Sequence, residues 1–408
     1  MRREFSGMHD DTRCLGTDDA IAASGFQSLS FPVYRGSTVV FPTVEAYQRR
    51  RENFYDGYSY GLYGTPTSRA LEARIASLEN GTKTLVVPSG LAAIVLTILA
   101  VAKAGDQVLI PDSVYDPVRT LSDNFLSFLG IQASYYDPLI GGRIAPLLNE
   151  RVKLVLVESP GSATMEIQDM AAIAGAAQAN GTLVAVDNTW ATPLRFKPLE
   201  RDTDFSISAI SKYFAGHSDV LMGSVTVRDE ALYRRLRDVS RYLGYGVSPE
   251  DCALVLRGIE TLSVRLDRVE ANALKIAKWL EGRPEVVKVL HPALPSHPGH
   301  AIWQRDFSGS SGLFSVILQP WTRPQLALAI EALEFFCIGA SWGGTKSIVV
   351  VMDPPPVRTA TRTVEQGPLL RISVGLEHVD DLLLDLEKAF GMLEPKAELF
   401  EPPIRLEI

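Results

Sequence analysis

The chain has 408 residues, 46% hydrophobic and 22% charged, with a formal net charge of −8. That is enough chain for two domains with large cores, and the acidic balance argues against a nucleic-acid partner. Cys14, Cys252 and Cys337 lie too far apart for a disulfide framework or a metal-ligand spacing, which points to a reducing compartment.

In chain order, residues 1–62 carry polar breaks and few periodic segments, and read as an extended N-terminal arm. The N-terminus, Met1 to Asp11, lacks the apolar core of a signal peptide. The longest apolar stretch, Leu91 to Ala102, is interrupted by Thr97 and too short to span a bilayer. A cytoplasmic location without a membrane partner is expected. Across 63–258, strands are expected at 84–88, 107–110, 133–136, 154–158, 183–187, 205–209 and 223–227. Helices fill the gaps, for example 91–104 and 170–180. Such alternation predicts a large, mostly parallel seven-stranded sheet with helices on both faces. Pro249-Glu-Asp opens a long helix toward Leu280, interrupted near Gly258. Residues 259–408 then form a smaller C-terminal α/β domain. Its expected strands are 312–318, 347–351 and 369–374, and its helices 324–333 and 379–393. Asp353-Pro-Pro-Pro-Val357 reads as a rigid loop. The tail after Leu393 is rich in Glu and Pro and has no readable role.

Three local patterns carry chemistry. Lys212 ends the apolar, β-branched run Asp204-Phe-Ser-Ile-Ser-Ala-Ile-Ser211, beside Ser211 and before Gly216. Small and apolar neighbours desolvate an ammonium and lower its pKa. A neutral amine can then attack an aldehyde and form a Schiff base. On this stretch alone a functional and a structural lysine are equally good readings. Thr182-Leu-Val-Ala-Val-Asp187 reads as a buried parallel strand ending in a carboxylate. Ligands of open parallel sheets sit beyond such strand ends; a helix N-cap is the alternative. Val86-Val-Pro-Ser-Gly90-Leu91 joins a strand, a glycine turn and an apolar helix whose first amides could cradle a phosphate. Many such turns bind nothing. Together the three suit pyridoxal 5′-phosphate (PLP), which needs a lysine Schiff base and an anion against its pyridinium nitrogen.

At these residues the chain resembles the Cys/Met-metabolism PLP enzymes, from about Phe31 to Phe390. Ser211-Lys212-Tyr-Phe-Ala-Gly-His217-Ser-Asp219 is similar to the family's cofactor-lysine motif, and Val186-Asp187-Asn-Thr-Trp190 to its pyridinium aspartate. Glu158-Ser-Pro-Gly-Ser162, Thr164-Met-Glu166, His291-Pro-Ala-Leu-Pro295, Arg305 to Phe314 and Ser341-Trp-Gly-Gly344 resemble the cystathionine β-lyase branch. The resemblance implies the aspartate aminotransferase-like fold type I. It implies catalytic roles for Lys212, Asp187 and Tyr115, the last stacking on the pyridine ring. It implies phosphate contacts from Gly90, Leu91 and Ser211, and from Tyr60 of a neighbouring subunit. Arg371, with Ser341 and Trp342, is implied to hold the α-carboxylate of an amino-acid substrate. His217 reads as structural. The arm departs from the pattern at one place: Leu62 stands where the family has an arginine, and Arg35 and Arg69 are candidates to supply the missing charge. The implied activity is carbon–sulfur β-elimination from cystathionine in a homotetramer built from active-site-sharing dimers. Chemistry at Cγ, another cysteine conjugate, or PLP-fold binding without turnover remain open alternatives.

Overall fold

The computed structural model describes residues 8–16, 28–353, 355–361 and 367–393. Its first sheet contains β1 (Lys83–Val87), β2 (Gln107–Pro111), β3 (Gln132–Tyr136), β4 (Val152–Glu158), β5 (Leu183–Asp187), β6 (Phe205–Ser208) and β7 (Gly223–Val227). The seven strands lie in the order β1-β7-β6-β5-β4-β2-β3. All the pairings from β6 to β3 are parallel, and β7 runs antiparallel to both its neighbours. Central strands are buried on both faces, so they read as apolar runs rather than alternations.

On one side, the helix Gly90–Val101 packs Ala93, Ile94, Leu96 and Ile98 onto β1, β6 and β7. On the other, the helices Pro66–Leu78 and Pro249–Glu260 enclose Tyr213 and Phe214, just beyond Lys212. A second sheet holds β8 (Val286–Leu290), β9 (Leu313–Leu318), β10 (Cys337–Ile338), β11 (Ile348–Met352) and β12 (Leu369–Ser373), in the order β10-β11-β12-β9-β8. The helices Leu262–Glu281 and Val379–Phe390 cover it with Ala273, Ile276, Leu382 and Leu386. Among the described residues no helix is long and apolar enough to cross a membrane.

Every expected strand is present, with ends moved by a residue or two. β8 and β10 were not expected. β8 carries Lys288 in a short run, and β10 has two exposed residues, so neither shows a clear period. The long helix breaks at Thr261, not Gly258. Gly258 lies inside the helix at a close contact that leaves no room for a side chain: a Cβ there would lie 2.4 Å from the Ala215 carbonyl oxygen. The N-terminal segment is not simply extended. It includes the helices Asp10–Leu15 and Val44–Gln48 and the 3-10 turns Arg49–Asn53 and Gly61–Tyr63. Cys14 is fully buried against Leu71 and Ile75 of the same chain. The tail after Leu393, Pro354 of the proline loop and the first seven residues lie outside the described residues.

Candidate active site

The carboxyl ends of β4, β5 and β6 open into a cavity of about 440 Å³, closed from the other side by Ser341, Trp342 and Arg371. Its upper rim is the start of the helix Gly90–Val101. Ser89 caps that helix: its hydroxyl accepts from the Ala92 amide at 3.1 Å, and its carbonyl accepts from the Ala93 amide at 3.1 Å. The amides of Gly90 and Leu91 have no carbonyl one turn earlier to bond, and both residues line the cavity. Gly90 is required by contact, since a Cβ would come within 2.6 Å of the Ala209 Cβ. Two open amides and the positive helix end form an anion site.

Past β6 the chain turns sharply, and Met222 fixes the turn. The Ser211 hydroxyl accepts from the Met222 amide at 2.9 Å and donates to its carbonyl at 3.2 Å. Ser211 also lines the cavity, and its hydroxyl, which rotates about Cβ–Oγ, donates to the Met222 carbonyl here. Lys212 extends from this turn. Its Nζ donates to Ser341 Oγ at 2.8 Å and lies 5.4 Å from the Trp342 ring centre. Burial first, and then the Arg371 charge, pull its pKa down to about 8, against the attraction of Asp187.

Asp187 ends β5. Its Oδ1 accepts from the Thr189 amide at 3.0 Å and the Thr189 hydroxyl at 2.5 Å. The alternative of a helix N-cap is not what is seen: the next helix, Thr192–Arg195, has Ala191 at its N-cap and no side-chain cap, and Asp187 closes a local turn onto Thr189 that orients its carboxylate. Thr189 in turn accepts from the Ala209 amide at 2.9 Å, tying β5 to the lysine turn. Desolvation raises the Asp187 pKa, while Thr189 and Lys212 oppose the rise. Tyr115 stands at the start of the helix Asp116–Leu121, its amide donating to Glu158 Oε2 at 2.8 Å. Thr189 and Glu158 were both missed as site residues. The first is signalled by Thr two positions after the strand-end Asp, as in an Asx turn; the second by its own strand end.

Arg371, in the middle of β12, is 8% exposed. Its Nη2 donates to the Ala340 carbonyl at 2.5 Å. Among the described residues no carboxylate pairs with it, whereas buried Arg119 meets Asp112 at 2.6 Å and Arg237 meets Glu72 at 3.1 Å. Burial lowers its pKa. The alternative of an internal salt bridge thus finds no partner. Trp342 packs edge-on to Tyr213, with ring centres 5.5 Å apart. His217 is outside the cavity lining, its Nδ1 2.7 Å from the Ala215 carbonyl.

The cavity therefore brings together Gly90, Leu91, Tyr115, Asp187, Ser211, Lys212, Ser341, Trp342 and Arg371. It does not include Tyr60, which is 47% exposed and meets Tyr63 edge-on. Leu62 lies on the same short turn, against Gly246. Arg69 is held by Glu72 at 3.0 Å and by the Tyr63 carbonyl at 3.1 Å, and Arg35 pairs with Glu250 at the surface. Open amides suit a phosphate, a carboxylate a ring nitrogen, a lysine of lowered pKa an aldehyde, and a half-exposed aromatic ring a ring face, and these are the features PLP requires.

The sequence matches the family described as Cys/Met metabolism PLP-dependent enzyme over residues 12–391. The cystathionine beta-lyase of Salmonella typhimurium is 38% identical over 90% of this chain and 94% of its own. The L-alanine/L-glutamate racemase of Wolbachia pipientis is 38% identical over 90% of this chain and 93% of its own. The crystal structure of cystathionine gamma synthase from Xanthomonas oryzae pv. oryzae, in complex with aminoacrylate and cysteine, superposes with a TM-score of 0.86 at 29% identity. That likeness covers 94% of this chain and 98% of that one. The fold is accordingly fold type I and the cofactor PLP: the chain belongs to the Cys/Met metabolism PLP-dependent enzyme family.

Proposed function

We propose that the protein is a carbon–sulfur β-lyase that converts L-cystathionine and water to homocysteine, pyruvate and ammonia, a step of methionine synthesis. The observation that carries this reading is Arg371, a buried guanidinium that has no carboxylate partner among the described residues, in one cavity with a lysine shifted to about 8. An amino-acid carboxylate completes such a guanidinium as a planar fork. Several relatives named cystathionine beta-lyase, 38–43% identical over most of the chain, support this reaction class.

Bound PLP supplies an electron sink for charge developed at the substrate Cα. Arg371 orients the substrate, with Ser341 and Trp342 forming the wall beside it. Lys212, held by Ser341, is the amine that anchors the cofactor, takes the Cα proton at Nζ and returns a proton to the departing sulfur. Asp187 keeps the ring nitrogen protonated. Tyr115 covers the ring face, and the Gly90 and Leu91 amides bind the phosphate. Residues 1–62 act as an arm, 63–258 as the PLP-binding domain and 259–408 as the C-terminal domain. In a cytoplasmic homotetramer of site-sharing dimers, exposed Tyr60 reaches the neighbour's phosphate.

A second reading is amino-acid racemisation. It is favoured by the Wolbachia relative and by two groups able to hold a proton, Lys212 and Tyr115, that line the same cavity. One product analysis separates the readings. Purified holoenzyme with L-cystathionine should give pyruvate and a free thiol. 2-Oxobutyrate would place the chemistry at Cγ, and D-alanine from L-alanine without keto acid would make racemisation the main activity. No product and no amino-acid-dependent spectral change would indicate binding without turnover.

A further inference from the structure

A second carboxyl group stands beside Asp187. Glu158 and Asp187 are partners across the parallel strands β4 and β5, both at strand ends, and both line the cavity. Parallel neighbours in register point their side chains to one face. The two are not equivalent. Asp187 receives the amide and the hydroxyl of Thr189 and is attracted by Lys212, all of which favour its charge. Glu158 receives one amide, that of Tyr115 at 2.8 Å. The Ser162 hydroxyl nearby favours the charged form when it donates, and a hydroxyl can accept as well. The groups that face Glu158 are Asp187 from β5, Tyr115 from the start of its helix, and Arg358 from the loop 355–361. The Arg358 guanidinium is turned to Glu166 at 3.0 Å and to Thr164. Ser162 and Arg358 favour the charged form of Glu158, but burial and the neighbouring Asp187 oppose it more strongly, so side-by-side ionisation of the two carboxyls is disfavoured.

We propose that Glu158 is a positioning residue that works as a neutral carboxylic acid: it fixes the Tyr115 amide, and with it the ring, at the cavity wall, and leaves Asp187 as the anion facing the cofactor's ring nitrogen. One oxygen accepts the Tyr115 N–H, and the protonated oxygen donates to Ser162. Desolvation first, and then the neighbouring Asp187, push the Glu158 carboxyl well above the usual carboxylate range, in the required direction. The inference rests on the site assignment made above.

The test compares Glu158→Gln with Glu158→Ala, because glutamine copies both hydrogen bonds of the neutral acid. In the holoenzyme, Glu158→Ala should lower kcat/KM about 10- to 100-fold through a displaced Tyr115. Glu158→Gln should recover most of that loss, with its pH optimum where the wild type has it. The apoprotein gives a readout free of turnover. Above the ordinary glutamate pKa of about 4.3, the unfolded state has lost the proton that the native state keeps, so the wild-type residue costs more stability as pH rises. The melting temperature of Glu158→Gln minus that of wild type should therefore grow from pH 5 to pH 8. A glutamine variant as impaired as alanine overturns the proposal, and so does one that fails to fold, or a melting difference flat in pH. If the wild type proves inactive on every amino acid, the functional reading fails while the melting comparison still decides the state of Glu158.

Discussion

A guanidinium buried in mid-strand without a carboxylate is stable only if carbonyls, or a ligand anion, complete it. Arg371 has the Ala340 carbonyl, which leaves most of its planar fork to the cavity. Arg371→Lys keeps the charge and loses the fork. We expect kcat/KM to fall by the equivalent of about 1–3 kcal/mol. An unchanged kcat/KM across several amino acids would remove Arg371 from substrate binding. Lys212 gives a second prediction, in stability. Its native pKa of about 8 is below the ordinary lysine value. Between the two, the unfolded state binds more protons, so stability rises with pH across that window, and below it the charged lysine is a cost. Apoprotein Lys212→Met should melt above wild type at pH 7, with an unfolding free energy larger by on the order of 1–2 kcal/mol, and lose that advantage near pH 10.5. The same variant should have no turnover. A lower melting temperature at pH 7 together with retained turnover would make Lys212 a structural residue.

The loop 355–361 shows how an element without regular structure is held beside the site. The Asp112 side chain is 0% exposed and pairs with Arg119 at 2.6 Å. It also accepts the amides of Thr359 at 2.9 Å, Ala360 at 3.0 Å and Thr361 at 2.8 Å. Desolvation alone would raise its pKa, but the Thr359 and Thr361 bonds and Arg119 outweigh it and hold the carboxyl below its usual value. The native state thus favours the carboxylate. Its contribution is complete above the ordinary value near 4 and is lost as pH falls through the native one. Asp112→Ala leaves a buried arginine and three amides without their acceptor. We expect a loss of about 3–5 kcal/mol and earlier protease cleavage in the loop. Unchanged denaturant midpoint and cleavage rate would show that the loop is held elsewhere.

For the whole molecule, the exposed Tyr60 sets a test of assembly. If each Tyr60 serves the neighbour's site, a Tyr60→Ala subunit joined to a Lys212→Ala subunit has one site without either lesion. Refolding an equal mixture of the two inactive variants should then restore about a quarter of wild-type activity, the share of intact sites under random pairing. Two variants that stay inactive when mixed, or an active species that sediments as a monomer, would place Tyr60 outside the neighbouring site.

Sequence alone determined what depends on local order and composition. The apolar runs ending at Glu158, Asp187 and Ser208, each followed by a turn, show the parallel strands and the edge at which a ligand sits. Lys212, Asp187 and Gly90 are legible because strand-end chemistry and family resemblance fall on the same residues. Tertiary structure decided what depends on partners distant in the chain. Asp112 meets Thr359 across 247 positions, Lys212 meets Ser341 across 129, and no local pattern marks either pair. The Ser211 hydroxyl turned to Met222, the helix break moved from Gly258 to Thr261, and the carboxyl pair of Glu158 and Asp187 have the same origin. In each case the deciding neighbour is brought in by sheet register or helix packing, and only folding brings it within bonding distance.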